Sequence, residues 1–159
     1  MTLRGINMNY QDPLFSTYAI SASLMILKAM GQGWITVYRM LKVKAGFRSP
    51  EDNNKGLCNP NPSGDKTVLN EYVDRSRRVH NNDGENIPYF LVVGLLFILT
   101  SPQVWVAQTL LYGFVIARFC HFFAYMTAQS HELRATFYTI GSCIVMGMAA
   151  YCIYFTTTL

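Results

Sequence analysis

Residues Val73–Phe90 read VDRSRRVHNNDGENIPYF, and Leu91–Thr100 continue without a break as LVVGLLFILT. The first stretch holds three arginines, two aspartates, one glutamate, one histidine and three asparagines. The apolar run that follows, from about Ile87 to Leu99, is shorter than the roughly 20 residues a membrane span needs. It reaches that length only as the end of a helix that begins upstream, near Asn70 or Glu71. The charged stretch then belongs to the same helix as the apolar one, and this reading decides the fold.

Three further apolar blocks flank it. They run from about Leu14 to Arg39, with Lys28 as the one charge inside, from about Val104 to Met126, and from about Leu133 to Thr156. Thr100-Ser101-Pro102 separates the second block from the third, and Pro102 suits the first turn of a new helix. Thr127–Glu132 is a short polar turn, and short turns imply antiparallel neighbours. The expectation is an all-α integral membrane protein, a four-helix transmembrane bundle forming a single domain over 1–159. Its helices should cover about 14–41, 70–100, 103–127 and 132–156, with a connection at about 42–69 that is irregular in its Pro- and Gly-rich middle.

Composition agrees with a membrane class. Apolar residues make up 51% of the chain and charged ones 14%, against about 25% charged in an average soluble domain. A net charge of +4, interrupted along the chain, does not suit a nucleic-acid partner. There is no Gly-rich phosphate loop, zinc-type cysteine spacing or HExxH, so no metal site is expected. Of the cysteines, Cys120, Cys143 and Cys152 read as buried small hydrophobes, and Cys58 lies in a polar loop. Nine of the 13 Lys and Arg lie between Arg39 and Arg78, so the positive-inside rule places the first connection in the cytosol.

The charges on the helices are patterned. Arg75, Arg78, Asn82, Glu85 and Tyr89 are spaced 3, 4, 3 and 4 apart and share one stripe. Arg118, His121 and Tyr125 repeat the spacing, Arg134 and Tyr138 are four apart, and Lys28, Gln32, Ile35 and Arg39 lie along one face. Lys42, Lys44, Arg48 and Lys66 read as headgroup anchors, while Arg75 and Arg77 read equally well as anchors or as part of a site. Arg118 lies near mid-helix, where a charge costs at least about 2.5 kcal/mol and so should face the bundle interior and pair. Glu85 is the expected partner, in a purely structural pair or in one polar cavity formed by the stripes facing inward. Several guanidinium groups, a carboxylate, an imidazole and two phenols suit a small polyanion that also carries an ammonium group.

These residues resemble the signature of the membrane-associated proteins in eicosanoid and glutathione metabolism, the MAPEG family. Its pattern E-R-x-x-R-A-H-x-N-D-x-E-N is met with Asp74 for Glu and Val79 for Ala. Tyr38-Arg39 and the SPED run Ser49–Asp52 match further family motifs, as do Ala117, Arg118, His121, Ala124 and Tyr125, and then Arg134, Ala135 and Tyr138. The resemblance spans nearly the whole chain. It implies a homotrimer with glutathione as cosubstrate, bound between subunits near the cytosolic face. Its site would be Arg39 of one subunit with Arg78, Asn82, Glu85, His121, Tyr125, Arg134 and Tyr138 of the next. Arg134 matches the catalytic arginine. Asp52, Arg75, His80 and Arg118 match positions of additional interest.

The resemblance further implies membrane lipid as a partner and an endoplasmic reticulum address, with the mitochondrial outer membrane as a second. The implied activity is transfer of glutathione, as a thiolate, to lipophilic electrophiles, with reduction of lipid hydroperoxides by the same thiolate. The family also contains glutathione-dependent prostaglandin H to E isomerases, in which Asp52 would act with Arg134, and non-enzymatic lipid-binding adaptors. An adaptor is expected to lack the arginine set, which is intact here. Asn53 stands where some relatives carry a stress-sensing cysteine, and two extra residues lie between Arg39 and Pro50.

Overall fold

The computed structural model describes residues 10–57 and 59–158. Cys58 lies outside them. The described residues hold four long helices and no strand: α1 (Pro13–Val43), α2 (Glu71–Leu99), α3 (Val104–Met126) and α4 (His131–Thr157).

Local chemistry sets the helix ends. The Asp12 side chain accepts from the Leu14 and Phe15 amides, and Pro13 takes a first-turn position where no amide hydrogen is needed. Asn70 caps α2 by accepting from the Tyr72 and Val73 amides, and Ser130 caps α4 by accepting from the Leu133 amide. Pro102 is not in the first turn of α3. It precedes Gln103, the capping residue, so the helix starts two positions later than the proline suggests. Pro88 sits inside α2, where its missing amide removes the bond that the Gly84 carbonyl would receive.

The helices form a bundle in which α1 packs on α2 and α3, α4 packs on α3 and α2, and α2 meets α3 across the diagonal. The core is aromatic and aliphatic. Phe90 stacks on Phe114 with centroids 4.0 Å apart, and Met25, Phe97, Leu111 and Met148 close around them, all fully buried. Gly94 lets α2 approach closely: an added Cβ would sit 3.3 Å from Tyr18 and Leu111. The Tyr18 hydroxyl uses that approach to donate to the Leu91 carbonyl at 2.9 Å.

Three helices, α1, α3 and α4, are long and apolar enough to cross a membrane. Much of their apolar surface faces outward: only 11% of the most apolar window of α4 is buried, and Ile140, Met146, Ile153 and Tyr154 are exposed. Such a surface suits lipid and not water. Cys143 belongs to this outer face and is exposed, contrary to the expected burial, while Cys120 and Cys152 are half-buried.

The connection from Lys44 to Asn70 is held by polar side chains. Gly46, at φ +75, lies against Val73 of α2, where a Cβ would come within 3.0 Å, and its amide donates to the Val68 carbonyl. The Asn59 amide donates to the carbonyls of Asp52, Asn53 and Asn54. Lys66 in turn donates to the Asn59 side chain and is buried. It is therefore an internal tie and not the headgroup anchor its charge suggested. The Asp65 carboxylate accepts from Thr67, through both amide and hydroxyl, and from Asn53. The Thr67 bonds come first among the causes that hold its pKa below the usual carboxylate value. A depressed folded-state pKa stabilises the loop above the unfolded pKa, and that contribution is lost as pH falls through the folded one. Amide exchange at Thr67 should accelerate as pH drops below the normal aspartate range, after correction for intrinsic exchange. Asp65→Asn should show the faster rate at neutral pH.

Candidate functional site

The polar stripes meet at the end of the bundle that carries the long connection. Farther along the bundle, α2 and α4 line a cavity of about 520 Å³, within the range of small-molecule sites. Its upper wall is polar, with Glu85, Asn86, Tyr89 and Tyr138. Its lower wall is Val93, Val145, Met146 and Ala149. One end can take a polar reactant and the other an apolar one.

Above the cavity α3 and the start of α4 bring aromatic and cationic groups together. The Arg134 guanidinium lies over the Tyr125 ring, 4.5 Å from its centroid, and its Nε donates to the Ser130 carbonyl at 3.3 Å. Cation–π contact and helix-end anchoring fix this otherwise long side chain. His121 packs 5.1 Å from Tyr125 and 6.3 Å from Tyr138, centroid to centroid. On α2, Arg75 reaches the Tyr125 carbonyl at 3.5 Å. Arg78 is held by Asp74 at 2.6 Å and by Glu71 at 2.5 Å, and Glu71 also binds Arg75 at 3.1 Å. The Asn82 amide donates back to the Arg78 carbonyl.

The stripe of Arg75, Arg78, Asn82, Glu85 and Tyr89 does not face the bundle interior. It forms a half-exposed flank beside the cleft, with Glu85 and Tyr89 exposed. The interior face of α2 is instead Val73, Ser76, Val79, Asp83, Ile87 and Phe90. The consequence for Arg118 is direct. It pairs with Asp83, at 2.7 Å, and not with Glu85. Lys28 binds the other Asp83 oxygen at 2.5 Å. The three side chains are 0%, 1% and 4% exposed for Arg118, Asp83 and Lys28, so one carboxylate holds two cations inside the bundle. Glu85, left free of ion pairs among the described residues, is available to the cleft.

Asp83 is the residue the sequence reading missed. Its signal was present: Ser76, Val79, Asp83, Ile87 and Phe90 are spaced 3, 4, 4 and 3 apart on the apolar face of α2. An acid on that face, opposite a mid-helix Lys28, must be paired. The pairing leaves Nε and Nη1 of Arg118 and Nδ1 of His121 buried without a partner among the described residues. Buried polar groups are normally satisfied, so these donors and acceptors call for a ligand or water.

Three expected site residues lie elsewhere. Arg39 is buried on α1, donates to the Tyr72 carbonyl at 2.8 Å and stacks over the Tyr72 ring at 4.0 Å. His80 is exposed on the other flank of α2. Asp52 sits in the short 3-10 turn Pro50–Asn53, and its carboxylate makes no ion pair with Arg134 or any other described residue.

Comparison with known proteins gives the family. A profile described as the MAPEG family matches residues 18–154. The chain is similar to microsomal glutathione S-transferase 1 of Sus scrofa, at 32% identity over 143 residues, covering 87% of this chain and 88% of the relative. The Homo sapiens protein of the same name is 32% identical over 142 residues, with the same coverage. Prostaglandin E synthase of Homo sapiens is 27% identical over 142 residues, covering 87% of each chain. With its family profile, its apolar helices and these relatives, this chain is a membrane protein that belongs to the MAPEG family.

Proposed function

We propose that the α2–α4 cleft binds glutathione, and that the chain transfers it as a thiolate to lipophilic electrophiles. What supports this reading is the contact of Arg134 with Tyr125, the packing of Tyr125 and Tyr138 against His121, and the place of Tyr138 in the polar wall of a cleft whose lower wall is apolar.

A free thiol has a pKa of about 8.5 and is mostly protonated at neutral pH. Removal from water raises it further, so the site must supply positive charge or donors at about 1.4 kcal/mol per pKa unit. Arg134, held against Tyr125, is the group assigned to do so. Tyr138 shares the cleft and can donate its hydroxyl to the sulfur. Arg78 and His121 hold carboxylates, and the unpaired Glu85 takes the ammonium group. In the reaction the thiol proton leaves to solvent, the sulfur forms a bond to the electrophilic carbon, and the leaving group departs with the electron pair of the broken bond. Holding both reactants in one dry cleft converts a two-body step into an oriented one. The electrophile enters from the bilayer, along the apolar wall.

Arg39 cannot serve its own cleft, because α1 lies on the far side of α2. A homotrimer, in which a neighbouring copy brings Arg39 to the cleft mouth, reconciles its position with its place in the family motif. In this reading α2 spans the membrane too, the connection and cleft mouth face the cytosol, and the endoplasmic reticulum is the address.

The test uses purified protein in detergent, with conjugation of a chloronitroarene and isomerisation of prostaglandin H measured side by side. Conjugation is expected. Failure of both reactions, together with absence of glutathione binding, overturns the enzyme reading. Isomerisation alone moves the chain to the synthase function, which the lack of contact between Asp52 and Arg134 does not favour. The apolar wall gives a further prediction. Ser142, which lines the cleft between its two ends, tolerates a larger residue only by filling it. Ser142→Trp should raise KM for the electrophile by about tenfold, the scale of a few lost apolar contacts, with the glutathione Kd unchanged by calorimetry.

A further inference from the structure

The ion cluster inside the bundle holds one more charge than a helix tie requires. Asp83 and Arg118, 2.7 Å apart, already form a neutral pair that joins α2 to α3. Lys28 of α1 adds a second cation, 2.5 Å from the other Asp83 oxygen and 4% exposed. Two cations and one carboxylate leave a net positive charge. No second acid offsets it among the described residues: Asp83 is the only carboxylate paired with either cation, and Nε and Nη1 of Arg118 have no partner. The surroundings are apolar. Met25 precedes Lys28 by one turn, Val79 and Ile87 flank Asp83 at one turn on either side, and Phe114 precedes Arg118, all of them buried. A surplus charge in such a place costs stability. The joining of helices does not account for Lys28.

The cluster is continuous with the groups assigned to glutathione. His121 follows Arg118 by one turn of α3, and the next residue, Phe122, has its ring centroid 5.4 Å from the Lys28 ammonium. Lys28, Asp83 and Arg118 all lie close enough to His121 to act on its charge, as does Arg134 from α4. The His121 ring packs 5.1 Å from Tyr125, the ring under the Arg134 guanidinium, and 6.3 Å from Tyr138. On the flank of α2, Arg75 and Arg78 are balanced by Glu71 and Asp74, and Glu85 is assigned to the ammonium group of the ligand. The uncompensated positive charge facing this region therefore comes from Arg134 and from the surplus of the buried cluster. Inside an apolar bundle neither water nor salt screens that surplus well, so its field extends beyond the cluster.

We propose that Lys28 is a positioning residue for the reaction: it gives the buried cluster with Asp83 and Arg118 its net positive charge, and that field joins Arg134 in favouring the thiolate of bound glutathione. The inference rests on the proposed function. It adds to that site a source of positive charge that does not touch the substrate.

The test uses the full chain, purified in detergent with glutathione bound, and follows thiolate absorbance and kcat for conjugation across pH. Lys28→Met leaves Asp83 and Arg118 as a neutral pair. Its bound thiol should ionise at higher pH, so that below this titration both the thiolate fraction and kcat fall about three- to tenfold, the scale of one buried charge acting across a few helical turns. Raising the pH should restore kcat. Lys28→Gln should behave in the same way, and Lys28→Arg, which keeps the charge, should keep the native profile. S-Methylglutathione, which has no thiol proton, should bind the native chain and Lys28→Met alike. The difference between these two should persist at high salt, because the charge is buried. An unmoved profile in Lys28→Met and Lys28→Gln, or a rate lowered equally at every pH, overturns the proposal and leaves Lys28 a structural tie. A profile in Lys28→Arg displaced as far as in Lys28→Met overturns it too, as does a difference erased by salt. A native chain that binds glutathione without thiolate, or does not bind it, overturns the reading of the cleft and this inference with it; native thiolate with unchanged Lys28 variants overturns this inference alone.

Discussion

Arg134→Ala should lower kcat for glutathione conjugation by about 100-fold or more, the usual scale for loss of one charge-stabilising group at a reacting atom. Alanine removes the guanidinium that lies 4.5 Å from the Tyr125 ring centroid. In the proposed site the sulfur then loses the cation assigned to it. If its pKa rises by about two units, the free energy of forming the thiolate rises by about 2.7 kcal/mol. Arg134 does not contact the region assigned to the carboxylates, so the glutathione Kd should change by less than about fivefold. The pH–rate profile should move to higher pH, and Arg134→Lys should recover part of the rate through its charge. Full kcat with an unchanged profile would remove Arg134 from the chemistry.

Asp83→Asn should destabilise the folded chain by about 3–5 kcal/mol, the cost of leaving buried charge without its partner. Asp83 is 1% exposed and is the single carboxylate between Lys28 and Arg118. Its amide isostere keeps the volume but leaves two cations facing each other inside an apolar bundle. The loss should appear as a lowered midpoint of thermal inactivation and as poorer recovery from the membrane. Lys28→Met removes one cation and leaves the Asp83–Arg118 pair intact, so it should cost much less. Combined with Asp83→Asn it should restore part of the lost stability, because only one unpaired charge then remains. Equal stability of Asp83→Asn and the native chain would show that the bundle does not depend on this carboxylate.

The all-helical class was legible because the apolar blocks are long and the polar residues within them keep a helical period. The charged beginning of α2 was legible for the same reason: its apolar end is too short to stand alone. Which way each stripe faces was misread. Glu85 and Asp83 differ by two positions, about 200° around a helix, and both sit among Asn residues, so only the helical spacing of Asp83 with Val79, Ile87 and Phe90 tells them apart. Tertiary packing decides. Val79, Ile87 and Phe90 are buried against α1 and α3 and carry Asp83 inward. Lys66 was misread for a related reason, since its partner Asn59 lies seven residues away in a loop whose path no periodicity describes. The grouping of His121, Tyr125, Arg134 and Tyr138 followed from spacing within α3 and α4 together with the short turn that joins them. Arg39 sits on the opposite side of α2, and in the proposed homotrimer a second copy of the chain, which one sequence does not display, would bring it to the others.

The most direct test is the ionisation of glutathione on the purified protein, read as thiolate ultraviolet absorbance against pH. Bound glutathione should show the thiolate band at neutral pH, with an apparent pKa below the free value of about 8.5, and Arg134→Ala should bind the tripeptide without the band. Binding with no thiolate below the free pKa, or a native chain that does not bind glutathione at all, would contradict thiolate activation in the α2–α4 cleft.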